Sequence, residues 1–381
     1  MKRPPFCPNP HCHHHYQDDE CAAPRWFCGD GSFVSSREGV TRRYRCRDCG
    51  KRFSEATFST DYFAKRRISL YRLRRMLVSG ASIRAASRQL FCSPATVTRR
   101  LIILARQSLA CHQALSTHHS RDEALVADGF QSFWVSQYHP NNFNLLCGSD
   151  SQYLYAMTSV SLKRSGRMTE AQHHKRAQIE QRDPSDPAAL ERSFASLAGS
   201  AVRMWHHQHR AQNRSSRPTG TLVTDEHQTY PRSILPYRAE TQIIHQQVSS
   251  RRARTRENPL FAVNYLDREI RKDMAEHHRE TVCFARNASN SIARMWVYLV
   301  WHNMEKPYRI SPQSPLTHAE VTGVEAKEVR RQQKRFYRRR AFLSRCTRLH
   351  ESQRRDWLQL HWTPERENRR NPRVTPWYAV V

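Results

Sequence analysis

Ala124-Leu125-Val126-Ala127-Asp128 and Thr221-Leu222-Val223-Thr224-Asp225 share one plan, a short apolar run closing on an aspartate. Each run reads as a buried strand, and the residues after each aspartate break or redirect it. A third acid, Asp267, lies in Leu260-Phe261-Ala262-Val263-Asn264-Tyr265-Leu266-Asp267-Arg268-Glu269-Ile270, whose apolar spacing predicts a helix. Two acids at strand ends and one on a later helix can converge on one point. Carboxylates brought that close repel one another, so the cluster implies a hard cation such as Mg²⁺.

Around these runs, strand and helix signals alternate. Phe130–Gln137, Tyr153–Val160 and Gln242–Val248 read as further strands. Thr169 caps a polar helix towards Arg182, and Leu190, Phe194, Leu197, Ala201 and Trp205 repeat at helical spacing as core. An apolar helix follows around Arg294–Trp301. Three strands, a helix, a strand, a helix, a strand and a helix predict an α/β domain with a mixed sheet flanked by helices.

The 381 residues suffice for two or three domains. Lys and Arg number 63 against 34 Asp and Glu, a net charge of +29 spread along the chain, which favours a polyanionic partner. With three spaced acids, that charge points to phosphoryl transfer on a nucleic acid. No stretch is long and apolar enough to span a bilayer, and Met1-Lys2-Arg3-Pro4-Pro5 lacks the apolar core of a secretory signal. No membrane association is expected, and the bacterial cytoplasm is the expected compartment.

Of 11 cysteines, six lie within the first 49 residues, which argues for metal rather than disulfides. Cys7 and Cys12, with Cys46 and Cys49, offer four thiolates to a structural Zn²⁺ on two knuckles. Cys21 and Cys28 are an alternative knuckle, and His13-His14-His15 reads as a solvated turn with His11 or His13 as substitute ligands. The five later cysteines read as small buried hydrophobes. Residues 61–112 are helical. Ser82 caps one short helix, and Ser93, followed by Pro94, caps another with Val97, Leu101 and Leu104 inward. Joined by Phe91-Cys92-Ser93, they predict a helix-turn-helix in which Thr96, Thr98, Arg99 and Arg100 face DNA.

Residues 311–381, with Arg338-Arg339-Arg340 and Arg369-Arg370, read as a basic, partly helical and partly disordered tail. The expected segments are thus 1–60, a zinc ribbon; 61–118, the helix-turn-helix; 119–310, the α/β domain; and the tail.

This sequence of parts resembles the DDE-class transposases of short bacterial insertion sequences, over nearly 300 residues. The resemblance rests on Arg45-Cys46-Arg47-Asp48-Cys49-Gly50-Lys51-Arg52-Phe53, Asp128-Gly129-Phe130, Thr224-Asp225-Glu226-His227 with Tyr230, and His278-Arg279-Glu280-Thr281 with Phe284. It implies a ribonuclease-H-like domain whose Asp128, Asp225 and an acid near 267 hold two Mg²⁺ or Mn²⁺ ions and cut and join DNA. It further implies double-stranded DNA, both element terminal repeats and target, as partner, a dimer or larger assembly on DNA, and Arg279 on a phosphate. The third acid departs from the family, where glutamate is common. Asp267 is favoured because Leu266 and Val263 mark a buried face beside it, with Glu269, or an inactive site, as alternatives. His227 could orient a water; a surface role is the plainer reading. Two competing functions are a non-catalytic DNA-binding regulator, inactive and transposase-derived, and a nuclease that cuts without joining.

Overall fold

The protein is described as a computed structural model, over residues 4–17, 25–35, 39–213, 215–279, 281–309 and 315–365. Strands β1 (Phe27–Ser35), β2 (Gly39–Cys46) and β3 (Arg52–Ser54) form a small antiparallel sheet. Strands β4 (Leu125–Phe133), β5 (Pro140–Gly148), β6 (Leu154–Ser161), β7 (Thr219–Asp225) and β8 (Gln242–Val248) form a five-stranded mixed sheet in the order β6-β5-β4-β7-β8. The first three pair antiparallel, as short connections allow, while β4, β7 and β8 run parallel. Parallel neighbours need crossovers. α4 (Glu170–Arg182) and α5 (Ala189–Ala211) make the first, and α6 (Thr229–Ile234) the second.

Alternation along the strands gives each face its own core. Leu125, Ala127 and Leu222 pack with Phe194, Leu197, Ala201 and Trp205 of α5. Val126, Phe130, Val223 and Val248 face the other way, onto α7 (Phe261–Asp273) and α8 (Ala288–Met304). β5 was not expected as a strand, because Asn141-Asn142-Phe143-Asn144 looks too polar. Part of that polarity is met within the core: Asn142 donates to Asn144, which donates to Ser193 Oγ (2.6 Å) and Thr158 Oγ1 (3.3 Å), while the Asn141 amide is buried with no hydrogen-bond partner among the described residues. β4 also fuses two expected runs, so Asp128 sits within a strand rather than at its end.

α1 (Leu70–Val78), α2 (Ile83–Gln89) and α3 (Pro94–Leu115) precede the large sheet. Both expected caps form, with Ser82 Oγ accepting from Ala85 N–H and Ser93 Oγ from Thr96 N–H. α3 is far longer than the short helix anticipated. Its first turns pack on α2, and its apolar stripe, Leu101, Leu104, Leu109 and Leu115, continues into the core shared with α8.

The stretch expected as a basic tail contributes to that core within its described part. α9 (His318–Val321), α10 (Ala326–Arg338) and α11 (Glu351–Leu358) bury Val329, Phe336 and Trp357. In α10 the arginines line the outer faces while Val329, Gln332 and Phe336, three or four residues apart, turn inward. Arg340 lies over the rings of Tyr62 and Phe342, so it packs rather than projecting as a free charge. Arg369 and Arg370 lie outside the described residues. No helix among the described residues is long and apolar enough to cross a membrane.

Candidate active site and metal centre

Register places two of the three aspartates side by side. Leu125 pairs with Leu222 and Val126 with Val223, so Asp128 and Asp225, each two residues further on, stand level on adjacent parallel strands. Neighbouring strands lie about 4.8 Å apart. Two-residue periodicity puts both aspartates on the face of Val126 and Val223, the face that α7 covers with Val263, Leu266 and Ile270. Asp267, next to Leu266, comes down onto this face from the helix.

The electrostatics agree with that placement. Burial, then repulsion by Asp225, raises the Asp128 carboxyl from 3.8 to about 6, against the pull of Gly129 N–H (2.7 Å to Oδ1) and Arg254. Asp267 is pushed up to about 8, by burial first and by Asp128 next, with Arg271 and Arg254 opposing. Its Oδ1 is buried without a hydrogen-bond partner. Tyr230, buried on α6, has its phenol pKa raised by burial and then by Asp128, Asp225 and Asp267 together. All three carboxylates therefore act on one locality. They are looser than a closed cage: among the described residues, only a cysteine group brings three or more candidate ligand atoms within 4.8 Å of one another. An orphaned buried oxygen beside two further carboxylates fits a hard cation that keeps some of its waters.

Surrounding residues fix this geometry. A Cβ at Gly129 would overlap the Asn142 amide, so the residue after Asp128 has no room for a side chain. Asp225 Oδ1 accepts from His227 N–H (2.9 Å) and leaves the His227 ring exposed. Glu269 is turned away. It is buried against Lys272 (2.7 Å) and Lys306; although burial raises its pKa, those ammonium bonds bring it below the ordinary value. A carboxylate already neutralised by two lysines is a poor metal ligand, whereas the Asp267 Oδ1 is buried without a partner. Arg271 ties the helix to β4, donating to Gln131 O (3.1 Å) and lying over Phe130. Arg254 belongs to Arg251-Arg252-Ala253-Arg254-Thr255-Arg256, between β8 and α7. Neither arginine was singled out from the sequence, although four arginines in six residues before the helix are a visible signal. Arg279 is exposed.

The second site is the N-terminal cysteine cluster. Cys7, Cys12, Cys46 and Cys49 bring their sulfurs within 4.8 Å of one another, with Cys7–Cys49 at 3.5 Å and Cys12–Cys46 at 3.7 Å. Tetrahedral Zn²⁺ with bonds of about 2.3 Å sets sulfurs about 3.8 Å apart, so these four could bind a metal such as zinc. Burial raises the Cys12 thiol to about 11, while Cys49, despite burial, is brought to about 7 by bonds from the Asn9 side chain and Lys51 N–H. Cys28 is outside the cluster, near Arg45 O, and Cys21 lies outside the described residues. The histidine run is not simply a solvated turn. His15 is fully buried, bonded to Cys7 O (2.7 Å) and Ser344 Oγ (2.8 Å), and ties the cysteine site to the C-terminal segment.

At the start of α3, the residues expected to face DNA divide. Arg99 is exposed and Thr96 and Thr98 half-buried, bonded to Ser93 Oγ and Pro94 O. Arg100 is buried and cannot face DNA: it pairs with Asp61 (2.6 Å) and donates to Thr60 O and Arg66 O. Arg99→Ala should leave the melting temperature unchanged and lower the salt dependence of DNA binding by about one counterion. Arg100→Ala should lower the melting temperature by about 5–10 °C, since it removes the buried cation that pairs with Asp61 and leaves two carbonyls without their donor. Thermal melts and fluorescence anisotropy at several salt concentrations separate the two.

No protein-family model matches the chain, and no curated protein and no solved structure matches it.

Proposed function

We propose that this chain is a metal-dependent DNA strand-cleaving and strand-transferring enzyme, a DDE-class transposase with a ribonuclease-H-like catalytic domain. The observation that carries the reading is the meeting of Asp128, Asp225 and the unpartnered buried oxygen of Asp267 on one sheet face. The strand order, with three antiparallel strands extended by two parallel ones beside the first, supports a ribonuclease-H-like sheet. A net charge of +29 and the capped α2–α3 pair support DNA as the partner.

Asp128, Asp225 and Asp267 would hold the cations. Bound there, two Mg²⁺ ions would lower the pKa of an attacking water or 3′-hydroxyl and neutralise charge on the leaving oxygen. The protein's share is positioning. Adjacent strands fix two carboxylates at one level, α7 supplies the third, and Gly129 allows the close packing behind them. Arg254, acting electrostatically on both Asp128 and Asp267, suits a phosphate approaching the same face. The fourfold thiolate cluster would hold Zn²⁺ and, with α3, the DNA ends; pairing two ends requires at least a dimer.

The test is incubation of the purified protein with supercoiled plasmid carrying the DNA that flanks the gene, in Mg²⁺, Mn²⁺ or EDTA. Nicking or joining with either metal and none in EDTA is expected. DNA binding without strand breakage in both metals would favour the non-catalytic regulator instead, the reading that the open spacing of the carboxylates best suits.

A further inference from the structure

α5 packs on the sheet face opposite the aspartates. Between its second half, the end of α3 and the stretch leading into α11 lies a cavity of about 640 Å³. Ligand sites commonly hold 300–1,000 Å³, far more than a lone phosphate fills. The lining is strongly one-sided in charge. Arg203, Arg210 and Arg348 reach it, with Glu240 as its only carboxylate, and none of the three guanidiniums is ion-paired among the described residues.

The neighbouring histidines register that field. His350 is brought down to about 4, by burial first and then by Arg203, whose guanidinium donates to His350 Nε2 at 2.6 Å. His207 is lowered by burial, then by Arg348 and Arg210. Three solvent-exposed guanidiniums around a concave space give it a positive potential that attracts an anion. Val202, Met204 and Leu349 supply an apolar part, and the buried His112 contributes an Nδ1 with no partner, its Nε2 donating to Tyr155 O. Guanidiniums match phosphate oxygens in a fork geometry, and the apolar wall suits a base or sugar.

We infer that this cavity is a second binding site, for a phosphate-bearing ligand of nucleotide size whose phosphates Arg203, Arg210 and Arg348 grip. The same chemistry fits a free nucleotide or one unit of a DNA strand. The inference does not rest on the proposed catalysis.

Two probes separate the sources: the fluorescent nucleotide mant-ATP and a fluorescein-labelled ten-nucleotide oligonucleotide. Each is titrated into the full-length protein in buffer with no added Mg²⁺ or Mn²⁺, which prevents metal-bridged binding at the aspartates and leaves the cysteine cluster loaded. The double substitution Arg203→Ala/Arg348→Ala should weaken binding at least about tenfold. A loss for mant-ATP identifies a free nucleotide, and a loss for the oligonucleotide alone identifies a strand. Arg232→Ala, an arginine outside the cavity, should change neither. Both titrations unchanged by the double substitution, or equal competition by adenosine and ATP, would overturn the assignment. The readout is probe binding at a cavity on the sheet face opposite the aspartates, with no strand cut, so failure here is distinct from failure of the catalytic reading.

Discussion

Asp225→Ala and Asp267→Asn should each lower Mg²⁺-dependent strand cleavage by about 10³-fold or more, because each removes a carboxylate from the proposed cation site. DNA binding should persist or tighten, since a negative charge near the phosphates is gone. Asp267→Asn should have a second, opposite effect on stability. With its pKa raised to about 8, folded Asp267 holds a proton that the unfolded chain releases near 4. The folded state binds more protons between those values, so stability falls as pH rises from about 4 to about 8. Asparagine keeps the shape without the titration. In EDTA the variant should melt with the parent at pH 4 and about 5 °C above it at pH 8. Mg²⁺ should raise the parent's melting temperature, more at pH 8 than at pH 5, and leave the variant's unchanged. Undiminished cleavage by either variant rejects the active-site assignment; a variant less stable than the parent at pH 8 rejects the account of Asp267 as an unpaired buried acid.

Cys46→Ser should release the N-terminal metal. Protein with about one equivalent of Zn²⁺ should fall to near none by atomic absorption, since a missing thiolate breaks a tetrahedral set. The small sheet should loosen with it. Trp26, stacked on Phe53 at 5.8 Å and His14 at 5.6 Å, reports this as a red shift of its emission. The change should extend beyond the small sheet, because Phe342 and Ser344 pack or bond against Phe6 and His15. Cys28→Ser, outside the cluster, is the control and should keep its zinc. Unchanged zinc content in the Cys46 variant would refute the site.

What could be read in advance follows from how local each signal is. Asp128 and Asp225 end apolar runs long enough to specify buried strands, and the Gln242–Val248 strand was visible with its full bounds. Caps at Ser82 and Ser93 are likewise decided by neighbours within three residues. The expectation of Asp267 over Glu269 came from facing along the helix, while the two lysines that hold Glu269 include Lys306, from just after α8. Arg100 was misjudged for the same reason. On its own helix it looks like Arg99, and Asp61, Thr60 O and Arg66 O, contributed from the preceding loop, draw it inward. β5 was hidden because the partners of Asn144, Thr158 on the next strand and Ser193 of α5, come from distant sequence. The C-terminal helices were masked by arginine density, although Val329 and Phe336 already carried the helical spacing.

One continuous helix, α3, begins at the turn that presents Arg99 and ends among the side chains that support the large sheet. Its 22 residues measure about 33 Å at roughly 1.5 Å each, close to one turn of duplex DNA. On the proposed reading, the interval between the bases recognised and the bond broken is set by a stiff ruler rather than a tether. Lengthening that rod by a single residue would swing the reading head by about 100° and aim it at a different groove.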